Sequence, residues 1–242
     1  MVRRTERLGI PLDLGAGPAI ALLHGYGMRP WVYRATAELL AERARVVVPN
    51  LFDVPGHWAP DRVVDALAAT FDDLGIGEAT LVGHSFGGGI QLGFAASRPA
   101  RVAELVFSDT LAVSEEWGLA DEALRHPVRL ARLVTPQAAV AFAQSWLTHP
   151  RQMLSGAWWG FRSRRTADID AVAGAEIRSH VLWANRDSIL RRSDGREFAE
   201  RLGATFTVAS SADGPVDHDW VFQDPALFVA HLHALGLEAL SG

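Results

Sequence analysis

No cysteine occurs anywhere in the sequence, which excludes disulfides, thiolate-zinc sites and a cysteine nucleophile together. An excess of positive charge is also lacking. Lys and Arg number 23 against 28 Asp and Glu, for a formal net charge of −5, whereas nucleic-acid binding normally needs a basic face to neutralise phosphates. The tight basic clusters, Arg162, Arg164 and Arg165 and the pair Arg191-Arg192, read as solvated surface. No apolar run approaches a membrane span, and Met1 to Ile10 carries charges without the apolar stretch of a secretory signal. The expectation is a cytoplasmic protein with no membrane span and no nucleic-acid partner. Neither an internal repeat nor a low-complexity tract is present. What remains is 49% hydrophobic and 21% charged residues over 242 positions, ordinary for a soluble globular chain and long enough for one domain with an insertion.

Hydrophobic patterning orders the chain. Residues 5 to 14 partly alternate, and Pro11 suits an edge strand. Ala19 to Leu23 is a continuous apolar run of the kind a strand buried on both faces shows. Trp31 to Arg43 has helical periodicity, and Arg45 to Pro49 reads as the next strand. Asp61 is the expected cap of a helix over Val63 to Leu74, ended by Gly75 and Gly77. A strand from Ala79, a helix to Arg98 and a strand over Val102 to Phe107 follow. The alternation predicts a mostly parallel open sheet flanked by helices.

From Leu111 to about Ala175 the alternation stops. Helical segments are expected at Glu115 to Leu133, Pro136 to Leu147, Arg151 to Phe161 and Ala167 to Ala173, with Pro136 at a helix start after Thr135. Residues 111–175 therefore read as a helical cap inserted into a core of residues 1–110 and 176–242. Trp117, Trp146, Trp158 and Trp159 lie in the cap, where they either pack it onto the body or roof an apolar substrate pocket. His180 to Ala184 resumes the sheet and ends in Asp187. A helix over Asp194 to Leu202, a strand over Ala204 to Ala209, a loop with His218 and a helix over Pro225 to Leu235 close the chain.

The chemistry concentrates at Gly83-His84-Ser85-Phe86-Gly87. A serine held in a strained conformation between strand and helix needs neighbours without bulk, and Gly83 and Gly87 flank it two residues either way. The first turn of the following helix offers free N–H groups at the same place, where an oxyanion could form. Small residues in His24-Gly25-Tyr26-Gly27, at a strand's carboxyl end, let a second backbone donor approach.

Through these two motifs, the strand-end Asp187 and the late-loop His218, the chain resembles the α/β-hydrolase superfamily over essentially its whole length, in the esterase-like branch with a serine nucleophile and a helical cap. The resemblance implies Ser85 as nucleophile, His218 as general base and then acid, and Asp187 as the carboxylate that orients the imidazole. It also implies oxyanion donors in the backbone N–H groups of Phe86 and Tyr26. Asp109, after the preceding strand, is the other candidate acid, while Asp217 and Asp219 read as loop stabilisers. Serine at the elbow disfavours the aspartate chemistry of dehalogenase and epoxide-hydrolase relatives. The expected activity is hydrolysis of a small ester or related acyl substrate through an acyl-enzyme, with no metal or organic cofactor. Carbon–carbon hydrolysis, acyl transfer and a non-catalytic small-molecule receptor remain as alternatives, and the oligomeric state is open.

Overall fold

The computed structural model describes residues 7–9, 11–54, 56–110, 135–162, 165–212 and 214–241. Within them, β1 (Leu12–Leu14), β2 (Ala19–Leu23), β3 (Arg45–Val48), β4 (Ala79–His84), β5 (Val102–Ser108), β6 (Ser179–Ala184) and β7 (Thr205–Ala209) form one sheet in the order β1-β3-β2-β4-β5-β6-β7. The edge strand β1 is antiparallel to β3, and every other neighbouring pair is parallel.

The apolar strands face two cores because successive side chains leave a strand on opposite sides. Ala21 and Leu23 of β2 point into one core with Leu81, Leu105, Phe107, Val181 and Trp183. Ile20 and Leu22 point into the other with Val46, Val48, Val82, Val106 and Leu182. The first core is covered by α2 (Pro60–Asp73), α3 (Phe86–Ser97), α6 (Thr166–Gly174) and α7 (Arg192–Leu202); the second by α1 (Arg34–Leu40), the short α8 (Trp220–Gln223) and α9 (Pro225–Ala234).

Two helix starts differ from expectation. The helix expected to open at Asp61 begins at Pro60, with Ala59 as the extended residue before it. Proline lacks the N–H that a first helical residue leaves unpaired in any case, so it fits there without loss. The segment read as one helix over Trp31 to Arg43 is a 3-10 turn at Pro30–Tyr33 followed by α1, which ends at Leu40.

Between β5 and β6 the described chain is helical, with α4 (Pro136–Thr148), α5 (Pro150–Arg162) and α6 in succession. Thr135 caps α4, its side-chain oxygen accepting from the Ala138 amide at 3.1 Å, a contact of about 1 kcal/mol. The expected helix over Glu115 to Leu133, and Trp117 with it, lies outside the described residues. Arg165 departs from the solvated role expected for its cluster. Its guanidinium lies against Gly93 of α3, stacks over the Trp159 ring and pairs with Asp168, so it joins α6 to the elbow helix. No helix among the described residues is long and apolar enough to cross a membrane.

Candidate active site

Ser85 is the residue between β4 and α3, with φ 52° and ψ −117°. A side chain with a Cβ rarely adopts a left-handed φ, and such strain persists only where the surroundings impose it. They do so here: the Ser85 amide donates to the Ser108 carbonyl at 2.9 Å, and its own carbonyl accepts from Gly88 at 3.1 Å. The glycine after it is required sterically. A Cβ on Gly87 would lie 2.2 Å from the Leu23 carbonyl oxygen, so only glycine lets the elbow approach the end of β2 this closely.

That approach brings the loop His24–Gly27 against the elbow. The Tyr26 ring lies 5.7 Å from that of Phe86, and its hydroxyl donates to the Met153 carbonyl of α5 at 2.8 Å. Among the described residues the Tyr26 amide has no acceptor, and the Phe86 amide starts a helix, where N–H groups are free by construction. His24 fixes the loop from below: its Nδ1–H donates to the Gly25 carbonyl at 2.9 Å and its Nε2 accepts the Leu51 amide at 3.0 Å. Burial drives its pKa down to about 4, so the ring is neutral.

His218, between β7 and α8, is buried with its Nδ1 2.9 Å from Asp187 Oδ2. The other Asp187 oxygen accepts from the Ile189 and Leu190 amides at 2.7 and 2.8 Å, which holds the carboxylate still and leaves Nε2 of His218 for another partner. Burial opposes a charged imidazole here, but the charge and hydrogen bond of Asp187, with Asp219 and Asp109 behind it, prevail and raise the His218 pKa. Asp217 stabilises the loop as expected, accepting from the His218 and Ser188 amides and the Ser188 hydroxyl.

Asp109, the alternative acid, is bound elsewhere. It accepts from the Ala184 amide, Trp220 Nε1 and the Ser108 hydroxyl at 2.7 to 2.9 Å. Burial and the charge of Asp187 push its carboxyl well above the usual range. Like Ser85 it sits at positive φ, 46°. Donor atoms of Asp109, Asp187 and His218 lie within 4.8 Å of one another, as metal ligands would. The carboxylate oxygens, however, already receive N–H and O–H donors that a cation would have to displace.

The tryptophans separate. Trp159 packs edge-on against Phe86 at 5.0 Å and beside Trp58 at 5.7 Å. Trp158 is exposed, and both line an open groove of about 610 Å³ with Trp58, Pro60 and Leu154. Trp146 is half-buried, packing on the core and on Phe142 at 6.3 Å. Phe52 and Trp58 had no signal in the sequence beyond lying in a Pro/Gly-rich loop, yet Phe52 stacks on Phe86 and Trp58 at 5.4 and 6.0 Å. Aromatic pairs of this kind contribute roughly 0.5–1.5 kcal/mol each beyond their burial.

The chain is similar to several known proteins. The lipase LipV of Mycobacterium tuberculosis is 31% identical over 177 residues, covering 69% of this chain and 59% of the lipase. The 2-hydroxymuconate semialdehyde hydrolase of Pseudomonas is 35% identical over 112 residues, covering 42% of this chain and 40% of that protein. The chain thus spans less than two thirds of the length of these relatives. A thermophilic esterase from Thermogutta terrifontis superposes with a TM-score of 0.75 over 96% of this chain and 93% of its own, at 22% identity, a likeness of fold. The model of the alpha/beta hydrolase family matches residues 20–231, from the strand beneath the Gly25 loop to the helix beyond His218, and the chain belongs to that family.

Proposed function

We propose that the protein is a serine hydrolase that cleaves a small ester or related acyl substrate through an acyl-enzyme. The observation that carries this reading is Ser85 at positive φ on the helix start, at the carboxyl end of the central strand β4, with His218 and Asp187 paired on loops that leave the same end of the parallel strands. Ser85 Oγ attacks the acyl carbon as its proton passes to His218 Nε2, the ring nitrogen that Asp187 leaves open. Charge gathering on the carbonyl oxygen is met by the Phe86 and Tyr26 amides. Collapse expels the alcohol, which takes the proton from His218, and water repeats the two steps to release the acid and restore Ser85. A hydroxyl is a poor nucleophile near neutral pH. His218 must be neutral to take the hydroxyl proton, and the imidazolium it then forms is the state that Asp187 stabilises.

In the same reading the insertion of residues 111–175 acts as a cap at this end of the strands, with its last helix, α6, packed on the first core. Trp158 and Trp159, with Trp58, offer an apolar wall in a groove that no charged side chain lines among the described residues, which suits an uncharged acyl or alcohol group. Trp146 acts as packing material.

A fluorophosphonate should add mass at Ser85, and Ser85→Ala should lower kcat by about 10⁴-fold or more while the protein stays folded. Full activity in that variant would refute the reading. Carbon–carbon hydrolysis on the same residues is a second reading, favoured by the similarity to 2-hydroxymuconate semialdehyde hydrolase. It predicts normal labelling of Ser85 with no turnover of any p-nitrophenyl ester across a series of chain lengths.

A further inference from the structure

We propose that Tyr33 and His84 form a positioning pair that ties the loop of the oxyanion donor to the backbone of the base, holding Tyr26 and His218 in register across the elbow. The inference rests on the catalytic reading of Ser85 and His218.

Three buried hydrogen bonds run in series. The Gly25 amide donates to the Tyr33 hydroxyl at 2.9 Å, the Tyr33 oxygen lies 2.7 Å from His84 Nδ1, and His84 Nε2 lies 3.0 Å from the His218 carbonyl oxygen. Their directions follow from the donors available. A tyrosine hydroxyl has one proton. The His218 carbonyl can only accept, so His84 is protonated at Nε2 and donates to it; its Nδ1 is then an acceptor, to which the Tyr33 hydroxyl gives its one proton. Every bond in the series then has one donor and one acceptor.

Both side chains are almost completely buried. Burying a phenol and an imidazole costs free energy unless both are satisfied, and phenylalanine and an apolar residue would fill the same space without that requirement. The polar partners of this pair are each other and the two loops that the reaction depends on. Gly25 adjoins the residue whose amide is free to meet an oxyanion, and the carbonyl belongs to His218 itself. The His84 ring also packs 5.1 Å from that of His218. Burial and the neighbouring His218 charge drive the pKa of His84 well below that of a free histidine. The pair therefore stays neutral while His218 cycles, and it acts through position alone. Asp219 lies 4.0 Å from His84 Nε2.

The test uses fluorophosphonate inactivation as readout, because it reports nucleophile, base and oxyanion donors whatever the natural substrate. Tyr33→Phe should slow inactivation by about tenfold, a fraction of the 10²–10³ lost with an oxyanion donor itself. In ester turnover the loss should fall on kcat, with KM within about twofold. His84→Gln, which can still donate to the His218 carbonyl but no longer accepts from Tyr33, should give a similar loss. The double variant should be no slower than the slower single one, since both break the same series. A variant with a lowered melting temperature but an unchanged inactivation rate would reduce the pair to packing and overturn the proposal, as would rate losses that multiply in the double variant. If Tyr33→Phe does not fold, His84→Gln alone decides between these outcomes. Failure of the wild-type protein to label at Ser85 would overturn the catalytic reading itself. Normal labelling at undiminished rate in the variants would overturn only the pair.

Discussion

His218 Nδ1 lies 2.9 Å from Asp187 Oδ2, and the second Asp187 oxygen is held by two backbone amides. Asp187→Asn would keep the shape of this contact but present an N–H where the ring needs an acceptor, favouring the wrong tautomer. The expected fall in kcat is about 10⁴-fold. The charge of Asp187 also raises the His218 pKa, so its removal should move the acid limb of kcat/KM to lower pH. A pH–rate profile of the variant measures both effects, and an acid limb that stays put would remove Asp187 from the role.

Asp109 separates the two candidate acids. Its oxygens serve Ala184, Ser108 and Trp220, and the charge it lends His218 is a smaller contribution than that of Asp187. Asp109→Asn should therefore lower kcat by less than about tenfold, ~1.4 kcal/mol. Its main effect should be on stability, because an Asn amide would point N–H toward the Trp220 N–H or the Ala184 amide and leave a buried donor unpaired, at a cost of about 1–3 kcal/mol. Denaturant titration beside steady-state kinetics reads both. A loss equal to that of Asp187→Asn would make Asp109 a member of the catalytic pair.

Two glycines should respond differently to the same methyl group. At Gly87 a Cβ would meet the backbone of Leu23 at 2.2 and 2.5 Å, and backbone in a central strand cannot yield. Gly87→Ala should cost at least about 2 kcal/mol and displace the elbow, so that activity falls with stability. Gly203 ends α7 at φ +69° with open space around it, so Gly203→Ala meets only the conformational cost of about 1 kcal/mol and should leave kcat unchanged. Urea unfolding of the two variants checks the contrast.

These contacts mark the boundary of what local sequence could say. The runs Ala19 to Leu23 and His180 to Ala184 were legible because a strand buried on both faces must be apolar throughout, and the elbow was legible because its steric demand falls on residues two positions away. Partners distant in the chain left no local trace. Tyr33 meets His84 across 51 positions and Trp220 meets Asp109 across 111, and periodicity carries no information about either. Arg165 had the composition of surface, yet the slot at Gly93 and the Trp159 face take its guanidinium out of water. At Pro60 the missing N–H of proline set the helix start more strongly than the capping preference of Asp61.

The neutral state of His24 should appear as a pH dependence of stability. Its folded pKa, driven down to about 4 by burial, lies below the ordinary value of 6.5. Between those two pH values the unfolded chain binds a proton that the folded chain refuses, so this residue's contribution to stability is full above pH 6.5 and declines as pH falls toward 4. The slope approaches ~1.4 kcal/mol per pH unit. His24→Gln can still accept the Leu51 amide but cannot titrate. It should start about 1 kcal/mol less stable at pH 8, having lost the bond to the Gly25 carbonyl. It should then lose stability less steeply on acidification, so that the difference shifts in its favour by up to roughly 3 kcal/mol and the variant is the more stable of the two by about 2 kcal/mol near pH 4. Asp219 and Asp109 titrate alike in both proteins and cancel in the difference, and the pKa of His84 stays depressed by its own burial in both. His218, whose pKa is raised, is charged in the folded and unfolded states well below pH 6.5 and adds no slope there. Urea titrations of both proteins from pH 8 to pH 4 measure the gap, and a gap that stays constant over that range would mean that His24 is not held neutral.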